Sequence, residues 1–300
     1  MLTSMDGELS CVALAGYARD RLEAAPVAPA YRAALAAALA LPGNILSCSP
    51  NLRWARPVHA CCVAAGGRGE QAVPIAAAVE VFMVALDLLD DLEDGETNPL
   101  QVGLGTASSL NAAMGLLFLA QHCLAQEPNG ASAAAILVEA GLRAGSGQHA
   151  DLAPAADGSL TLDEALAVTS GKSGSLVAAI CRLGAFAAGA DGDVQARYAR
   201  FGGYLGVAAQ LANDIEAIAP AAAGKTDLAL GRPTLPLVYA GARNAVEMHE
   251  DVAAALWAEG AAHFTWAVAA TYRQHAQELI PSLTGDPAAG AALAALLQVL

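Results

Sequence analysis

Positively charged residues are scarce in this chain of 300 residues, which has 15 Lys or Arg against 29 Asp or Glu and a formal net charge of −14. A protein this acidic is a poor general binder of nucleic acids or anionic membranes, because both are held by positive charge. Charged residues of either sign make up only 15% of the chain, and hydrophobic residues make up 56%. This balance excludes a disordered chain and predicts a globular protein that does not act on nucleic acids.

Aromatic residues are also few, at 5% of the chain, and β-branched residues are sparse. Roughly a quarter of the chain is Ala, the strongest helix former. No useful stretch alternates with period two, no repeat of fixed period is present, and no linker divides the chain. The sequence therefore predicts an all-α fold of about 10–13 helices, with one domain over residues 1–300.

The chain also lacks the sequence signals of cysteine pairs and of targeting segments. The six cysteines form no CxxC pair, so we expect reduced thiols rather than a zinc site or a disulfide framework. The N-terminal residues lack the basic and apolar regions of a signal peptide. Charge or Gly interrupts each apolar run before ~18 residues, the length that spans a bilayer. We expect no transmembrane segment and a cytoplasmic location.

The strongest chemical signal is an acidic patch that ends the apolar helix predicted over Pro74–Asp94. Asp87, Asp91 and Asp94 are spaced i, i+4 and i+7, and Asp90 is also four residues before Asp94. These carboxylates repel one another and lie at the negative end of the helix dipole. A solvated helix end would explain them, but the apolar surroundings favour a bound cation. Oxygen ligands on a rigid helix suit Mg²⁺ shared with a substrate phosphate.

A second polar patch is predicted on a later helix, where Gln210, Asn213 and Asp214 share a face and Glu216 follows. Alone, this pattern could equally be a polar stripe near a helix end.

Three basic residues lie near these patches in the sequence: Lys172, Lys225 and Arg232. Lys172 is in Gly171-Lys172-Ser173-Gly174, which follows the helix predicted over Ala131–Gly145 and another short helix. At a helix start, this loop could present Lys172 and backbone N–H groups to a phosphate. Two carboxylate patches with a few cations suit the binding of a diphosphate through Mg²⁺.

Taken in order, these segments resemble the trans-isoprenyl diphosphate synthase (polyprenyl synthetase) family over roughly residues 52–240. The matching segments are Asp90-Asp91-Leu-Glu-Asp94 (DDxxD), Gly147-Gln148-His-Ala-Asp151-Leu152 (GQxxDL), Gly171-Lys172-Ser173 (GKT/S), Gln210-Leu-Ala-Asn213-Asp214-Ile-Glu216 (QxxDDxxD) and Asp227-Leu-Ala-Leu-Gly231-Arg232-Pro-Thr234-Leu-Pro236 (DLxxGKxTLP).

The resemblance implies an all-α isoprenoid-synthase bundle around a deep apolar cavity, usually as a homodimer. The two acidic motifs would hold three Mg²⁺, and the enzyme would ionise an allylic prenyl diphosphate to a carbocation in a cavity that excludes water. The implied catalytic residues are Asp90, Asp91, Asp94 and Lys172. The implied metal ligands are Asp90, Asp91, Asp94, Asn213, Asp214 and Glu216. The implied diphosphate-binding residues are Lys172, Gln210, Lys225, Arg232, Arg53 and Arg56. The implied cavity residues are Met83, Ala85, Leu86, Asp87 and Gln148.

The chain departs from the family where a second substrate, isopentenyl diphosphate, would bind. Arg53 and Arg56 remain of the family's basic GGKRxRP segment, but Trp54 stands where an Arg is usual. Met83 stands at the position of a His, and no basic residue follows Asp94 until position 143. Each missing charge-assisted contact would cost about 1.5–3 kcal/mol of binding. The site for isopentenyl diphosphate is thus expected to be impaired.

The second acidic motif departs too, because Asn213 replaces its first Asp and Ala217 its last. Asn213 resembles the first residue of the NDxxSxxxE motif of terpene synthases, and Glu216 could supply the missing carboxylate. The sequence around Asp87 also resembles the branch that contains isoprenyltransferases of pheromone peptides. The small Ala85 favours a long substrate, farnesyl or geranylgeranyl diphosphate.

These departures favour a terpene synthase-like lyase, in which the cation cyclises and loses a proton without isopentenyl addition. One alternative is a chain-elongating prenyl diphosphate synthase. Others are a prenyltransferase with a peptide or indole acceptor and a non-catalytic partner subunit.

Overall fold

The structure is a computed structural model that describes residues 10–49, 52–152, 160–219, 232, 234–241 and 251–299. All regular elements of these residues are helical, which confirms the all-α prediction. The α-helices are α1 (Cys11–Ala24), α2 (Pro29–Leu39), α3 (Ala55–Ala64), α4 (Gly69–Glu93), α5 (Pro99–Leu104), α6 (Thr106–Ala125), α7 (Gly130–Leu152), α8 (Leu162–Thr169), α9 (Ser175–Ala187), α10 (Gly192–Ala217), α11 (Leu235–Tyr239), α12 (Asp251–Ala258), α13 (Ala261–Leu283) and α14 (Pro287–Val299). A 3₁₀ turn spans Ile45–Ser47, and a π-helical turn spans Ser170–Gly174.

The helices form two compact units. The first comprises the described parts of Met1–Leu137, Ile180–Tyr198 and Leu283–Leu293, and the second comprises the described remainder. Each boundary between the units falls inside a helix rather than in a linker. The prediction of one domain stays a prediction. All six cysteines are free, and four of them are buried, as expected for reduced thiols.

Helix α4 is the core element of the first unit. Its side chains from Ile75 to Ala85 are all buried, and it packs on α3 and α6. The helix begins five residues before the predicted start at Pro74. Gln71 explains the earlier start, because its Oε1 accepts the N–H of Arg68 at 2.6 Å and satisfies one donor of the first turn.

Helix α4 is also long and apolar enough to cross a membrane, by length and composition, and no other helix of the described residues is. The sequence expectation that no apolar stretch reaches this length is corrected here, because the single charge of Glu80 does not offset its neighbours. Of the most apolar window of the helix, 72% is buried inside the protein. A core helix shows the same burial, so the composition of α4 does not by itself indicate a membrane segment.

A buried carboxylate joins α4 to the beginning of α3. One oxygen of Glu80 accepts the backbone N–H groups of Trp54 and Ala55, at 2.9 and 2.7 Å. These N–H groups lie at the N-terminus of α3, where a negative charge is favourable. Glu80 is only 3% exposed, and burial raises its pKa to about 7, although the two donors counteract this. Glu80 therefore fixes where α3 begins.

In the second unit, α8, α10, α11 and α13 share an apolar core. Its buried members are Ala165, Val207, Leu211, Leu235, Val238 and Ala269. This core holds the side of α10 that leads into the second acidic motif.

We predict that Glu80→Gln changes how stability depends on pH. The folded chain holds a proton on Glu80 up to a pKa of about 7, against the usual 4.5. As pH rises from the unfolded pKa to the folded pKa of about 7, the unfolded chain has released its proton while the folded chain still holds it. The free energy of unfolding of the wild type therefore falls over this range. The variant keeps an acceptor oxygen without a titrating group. It should gain on the wild type by on the order of 2–3 kcal/mol between about pH 5 and pH 8 in urea unfolding.

The control is Glu80→Leu, which leaves the N–H groups of Trp54 and Ala55 without an acceptor and should destabilise the chain at both pH values. Identical pH profiles for wild type and Glu80→Gln would contradict the assignment.

Candidate active site

The acidic end of α4 projects partly exposed carboxylates from the first unit. Asp90, Asp91 and Asp94 are all partly exposed. Asp91 Oδ2 accepts a hydrogen bond from Asn98 Nδ2 at 2.8 Å. The other side-chain atom of Asn98, Oδ1, accepts the N–H of Gln101 and caps α5. Asn98 thereby fixes Asp91 relative to the chain that follows α4.

The electrostatics of this helix end are unfavourable to negative charge. Desolvation raises the pKa of Asp91, Asn98 counteracts this, and the charges of Glu96 and Asp90 raise it further. Asp87 is exposed, and desolvation by the protein atoms near its carboxylate raises its pKa to about 6. The charge of Arg53 lowers the pKa of Asp87, and Asp90 and Asp91 raise it. A cation at this end would relieve the repulsion.

The donors present fit Mg²⁺ in chemistry, because they are carboxylate oxygens on one rigid helix. In the part of the chain that the structure describes, no three His, Cys, Asp or Glu side chains are placed to hold a metal by themselves. Mg²⁺ commonly binds through one or two carboxylates and completes its shell with water and substrate phosphates. The acidic end of α4 suits an ion that is shared with a diphosphate.

Arg53 and Arg56, the two basic residues that remain of the family's GGKRxRP segment, lie at the start of α3. Arg53 and Arg56 are exposed, and the Arg53 guanidinium carbon lies 4.8 Å from the centre of the Trp54 ring. Met83, at the position where the family has His, is only 4% exposed. The position of the family's His is therefore occupied by a buried, uncharged side chain.

In the second unit, Lys172 lies in the π-helical turn between α8 and α9. The sequence predicted a loop at a helix start here, and the structure corrects this part of the prediction. The backbone stays helical from α8 into α9, and Ser175 Oγ donates to the Gly171 carbonyl at 2.6 Å. The Lys172 side chain is paired with a carboxylate, because its Nζ lies 3.2 Å from Asp151 Oδ2.

Glycines bring the neighbouring helices close to the Lys172 turn. A Cβ at Gly147 of α7 would collide with the backbone of Gly171 and Lys172. A Cβ at Gly206 of α10 would lie 2.8 Å from the Ser173 carbonyl oxygen. The turn can pack against α7 and α10 only because these positions lack side chains. Helix α7 also extends to Leu152, past the predicted end at Gly145.

A short hydrogen-bond chain connects the Lys172 turn to the second acidic motif. Ser173 Oγ donates to Gln210 Oε1 at 2.7 Å, and Gln210 Nε2 donates to Asp214 Oδ1 at 3.0 Å. Asp214 is 3% exposed, whereas Asn213 and Glu216 are exposed. The predicted face of Gln210, Asn213 and Asp214 is thus split, with Asp214 turned inward and Asn213 on the same side as Glu216.

The remaining residues predicted to bind diphosphate or to line the cavity differ in their exposure to solvent. Lys225 lies outside the described residues, and Arg232 is 8% exposed. Ala85 is fully buried, whereas Leu86 and Gln148 are half-buried. The assignments of these side chains to a cavity and to a diphosphate stay predictions.

Sequence reasoning did not single out Glu80, Asn98, Asp151 or Ser173 as site residues. The signals for Asp151 and Ser173 were their places in the GQxxDL and GKT/S segments. The available signal for Glu80 is its place as a lone charge in an apolar helix, but only the fold shows its partners.

A sequence model of the polyprenyl synthetase family matches residues 53–264. A farnesyl diphosphate synthase and a geranylgeranyl diphosphate synthase, both from Mycobacterium tuberculosis, are each 32% identical to this chain. The alignments cover 61% of this chain in both cases, and 54% and 56% of those proteins. A tryptophan prenyltransferase, ComQ of Bacillus subtilis, is 27% identical over 56% of the chain and 54% of its own length. The chain spans about half the length of these relatives.

Solved structures share the fold over nearly the whole chain. The decaprenyl diphosphate synthase of Rhodobacter capsulatus superposes with a TM-score of 0.81 and 22% identity, covering 96% of this chain and 94% of that one. A polyprenyl synthase of Caulobacter crescentus, crystallised with calcium and isoprenyl diphosphate, has a TM-score of 0.79 and 25% identity over 96% and 94% of the two chains.

We predict that Gly147→Ala lowers the free energy of unfolding by about 1–3 kcal/mol, because the added methyl group overlaps the backbone of the Lys172 turn. Gly145→Ala is the matched control two residues earlier on α7, where a Cβ meets nothing within 4 Å. It should leave stability unchanged or raise it by up to about 1 kcal/mol. Equal effects of the two substitutions in thermal unfolding would refute the close approach.

Proposed function

The chain belongs to the polyprenyl synthetase family, and we propose that it ionises an allylic prenyl diphosphate without adding an isopentenyl unit. The observation that supports this proposal is that the chain has the family's motifs for the allylic substrate but lacks most of those for isopentenyl diphosphate. The acidic end of α4 and the Lys172 turn are present, whereas no Lys or Arg occurs between positions 68 and 143. Met83 is buried and uncharged where the family has His. The proposed product is a cyclised, deprotonated terpene.

In this proposal, Asp90, Asp91 and Asp94 would hold Mg²⁺ at the acidic end of α4. A second set of ligands would come from the exposed Asn213 and Glu216 and from Asp214, whose side chain would turn outward from Gln210. Bound Mg²⁺ would supply positive charge for the diphosphate leaving group, and the resemblance implies three ions. Lys172 and Arg232 would contribute fixed positive charge, with Lys225 from outside the described residues. Charge that is already in place stabilises the developing diphosphate anion more than mobile water does.

The buried part of α4 supports an apolar surface for the isoprenoid chain. Met83 and Ala85 are buried, and Leu86 is half-buried. We propose that a small side chain at Ala85 leaves room for farnesyl or geranylgeranyl diphosphate. Exclusion of water from such a surface would protect the cation from capture. The cytoplasmic location stays a prediction.

Two other reactions remain open because of particular similarities. Chain elongation is supported by the farnesyl and geranylgeranyl diphosphate synthases that the chain resembles, and it would require Arg53 and Arg56 to hold isopentenyl diphosphate. Prenylation of an indole or peptide acceptor is supported by the likeness to the tryptophan prenyltransferase. Both reactions begin with the same ionisation.

The three reactions differ in their products. Purified protein would be incubated with Mg²⁺ and geranyl, farnesyl or geranylgeranyl diphosphate, each with and without isopentenyl diphosphate. A terpene hydrocarbon or alcohol formed without isopentenyl diphosphate, detected by gas chromatography–mass spectrometry, is the expected result. Longer diphosphates formed only with isopentenyl diphosphate would contradict the proposal. If no product forms until a tryptophan-containing peptide is added, the result would favour prenylation of an acceptor.

We predict that Asp90→Ala and Asp94→Ala each lower kcat at least about 100-fold, because each removes charge stabilisation from the leaving group. Diphosphate release measures the rate, and circular dichroism should show unchanged helix content. Glu70→Gln, in the first turn of the same helix, should leave the rate unchanged. Normal turnover in both Asp variants would rule out the proposed metal site.

We also propose that the chain forms the homodimer that the family resemblance implies. Leu110, Met114 and Phe118 recur every fourth residue along α6 and are all exposed, Phe118 by 70%. An apolar stripe of this kind commonly marks a protein interface.

Phe118→Glu should shift the protein to monomers, because it places a charge within this stripe. Val12→Glu serves as the control, since Val12 is similarly exposed at 68% but lies on α1. Sedimentation equilibrium distinguishes the two states. A dimer that persists in Phe118→Glu, or a wild type that is monomeric, would refute the stripe as the interface.

A further inference from the structure

The chain that follows α4 turns back onto the acidic end of that helix. Gly95 has a left-handed backbone, with a φ of 70°, which is the usual conformation of a glycine that ends a helix. The N–H of Gly95 bonds to the Leu92 carbonyl at 3.4 Å, and the N–H of Glu96 bonds to the Asp91 carbonyl at 2.8 Å. These two bonds keep the reversed chain against the last turn of α4.

Asn98 follows two residues after Glu96, and both polar atoms of its side chain make hydrogen bonds. Its Oδ1 accepts the N–H of Gln101 at 2.9 Å, and its Nδ2 donates to Asp91 Oδ2 at 2.8 Å. A backbone N–H can only donate, so the amide oxygen must face Gln101 and the amide nitrogen must face Asp91. The orientation of the Asn98 amide is therefore determined by its neighbours.

The position of this amide is fixed as well. The N–H of Asn98 donates to Gln101 Oε1 at 2.9 Å, which completes the cap of α5. Pro99 begins α5, and Leu100 is buried. Asn98 itself is only 9% exposed, so water competes little for its donor. The fold thus presents a fixed N–H group to Asp91.

The charge of this donor matters for a cation at the acidic end of α4. A Lys or Arg in place of Asn98 would orient Asp91 but would also offset its negative charge. An amide orients the carboxylate and leaves the charge available to a cation. Without a fixed donor, repulsion from the neighbouring carboxylates of α4 would favour other rotamers of Asp91.

We propose that Asn98 is a positioning residue that holds Asp91 in the orientation in which it ligates Mg²⁺. Hydrogen bonds to metal ligands commonly raise the metal affinity of a site by about 10- to 100-fold. The inference rests on the proposed function, because the metal site is the one proposed there. It adds a residue that lies outside all five segments of the family resemblance, in a stretch without Lys or Arg.

The test uses Mn²⁺, which carboxylates also bind, because the electron paramagnetic resonance of the free ion reports binding without substrate or turnover. Asn98→Ser keeps an oxygen that can cap α5 but has no amide donor for Asp91. It should lower the Mn²⁺ affinity of the full chain at least about tenfold. Gln101→Ala is the matched control. It removes a side chain of the same cap and keeps the N–H that fixes Asn98, so Mn²⁺ affinity should be unchanged.

A double-mutant cycle separates positioning from a general effect on the fold. In the Asp91→Asn background, Asn98→Ser should cause no further loss of Mn²⁺ affinity, because its effect passes through Asp91. A further loss in that background would overturn the proposal, and so would an Asn98→Ser variant that binds Mn²⁺ as tightly as the wild type. Asn98→Thr is a second replacement that can cap α5, for use if circular dichroism shows that Asn98→Ser does not fold.

The proposed function would fail by a different result. Longer diphosphates made by the wild type with Mg²⁺ and isopentenyl diphosphate would refute it, and the Mn²⁺ cycle would still decide whether Asn98 positions Asp91. A wild type that binds no Mn²⁺ would refute both the metal site and the role of Asn98.

Discussion

Mutual repulsion among carboxylates at the end of a buried helix is the constraint on which the site in the first unit depends. Helix α4 is apolar and buried along most of its length and then presents Asp87, Asp90, Asp91 and Asp94 within two turns. The helix dipole adds to the repulsion at this end. Burial of the helix body holds the carboxylates in place, so the repulsion cannot be relieved by moving the helix. Protonation offsets part of it, since the pKa values of Asp87 and Asp91 are raised, and a bound cation would offset it further.

The same helix also connects the acidic end to the start of α3. Glu80 accepts hydrogen bonds from the backbone of Trp54 and Ala55. In the second unit, Ser173, Gln210 and Asp214 form a comparable link between the Lys172 turn and the second motif. In both units, partly buried hydrogen bonds hold polar side chains of the site in place. Such positioning suits electrostatic catalysis, which requires that the groups do not reorganise during the reaction.

Much of this could be predicted from the sequence, since apolar periodicity and the acidic end of α4 are local patterns. The all-α fold and the family followed from composition and from five ordered segments. The start of α4 was misplaced because the side chain of Gln71, rather than Pro74, determines it. The end of α7 was misplaced because the helix was ended at Gly145, whereas it continues to Leu152 past Gly147, where the Lys172 turn approaches. The hydrogen-bond partners of Glu80 could not be predicted, because they depend on how α3 packs on α4.

The central claim is that ionisation of an allylic diphosphate in this protein needs Mg²⁺ and no second diphosphate. Its most direct test is a single-turnover experiment with excess enzyme and farnesyl diphosphate that carries a labelled diphosphate group. Release of labelled inorganic diphosphate would be followed with and without Mg²⁺ and isopentenyl diphosphate. The account predicts that release depends on Mg²⁺ and proceeds equally fast without isopentenyl diphosphate. Release that occurs only when isopentenyl diphosphate is present would contradict it.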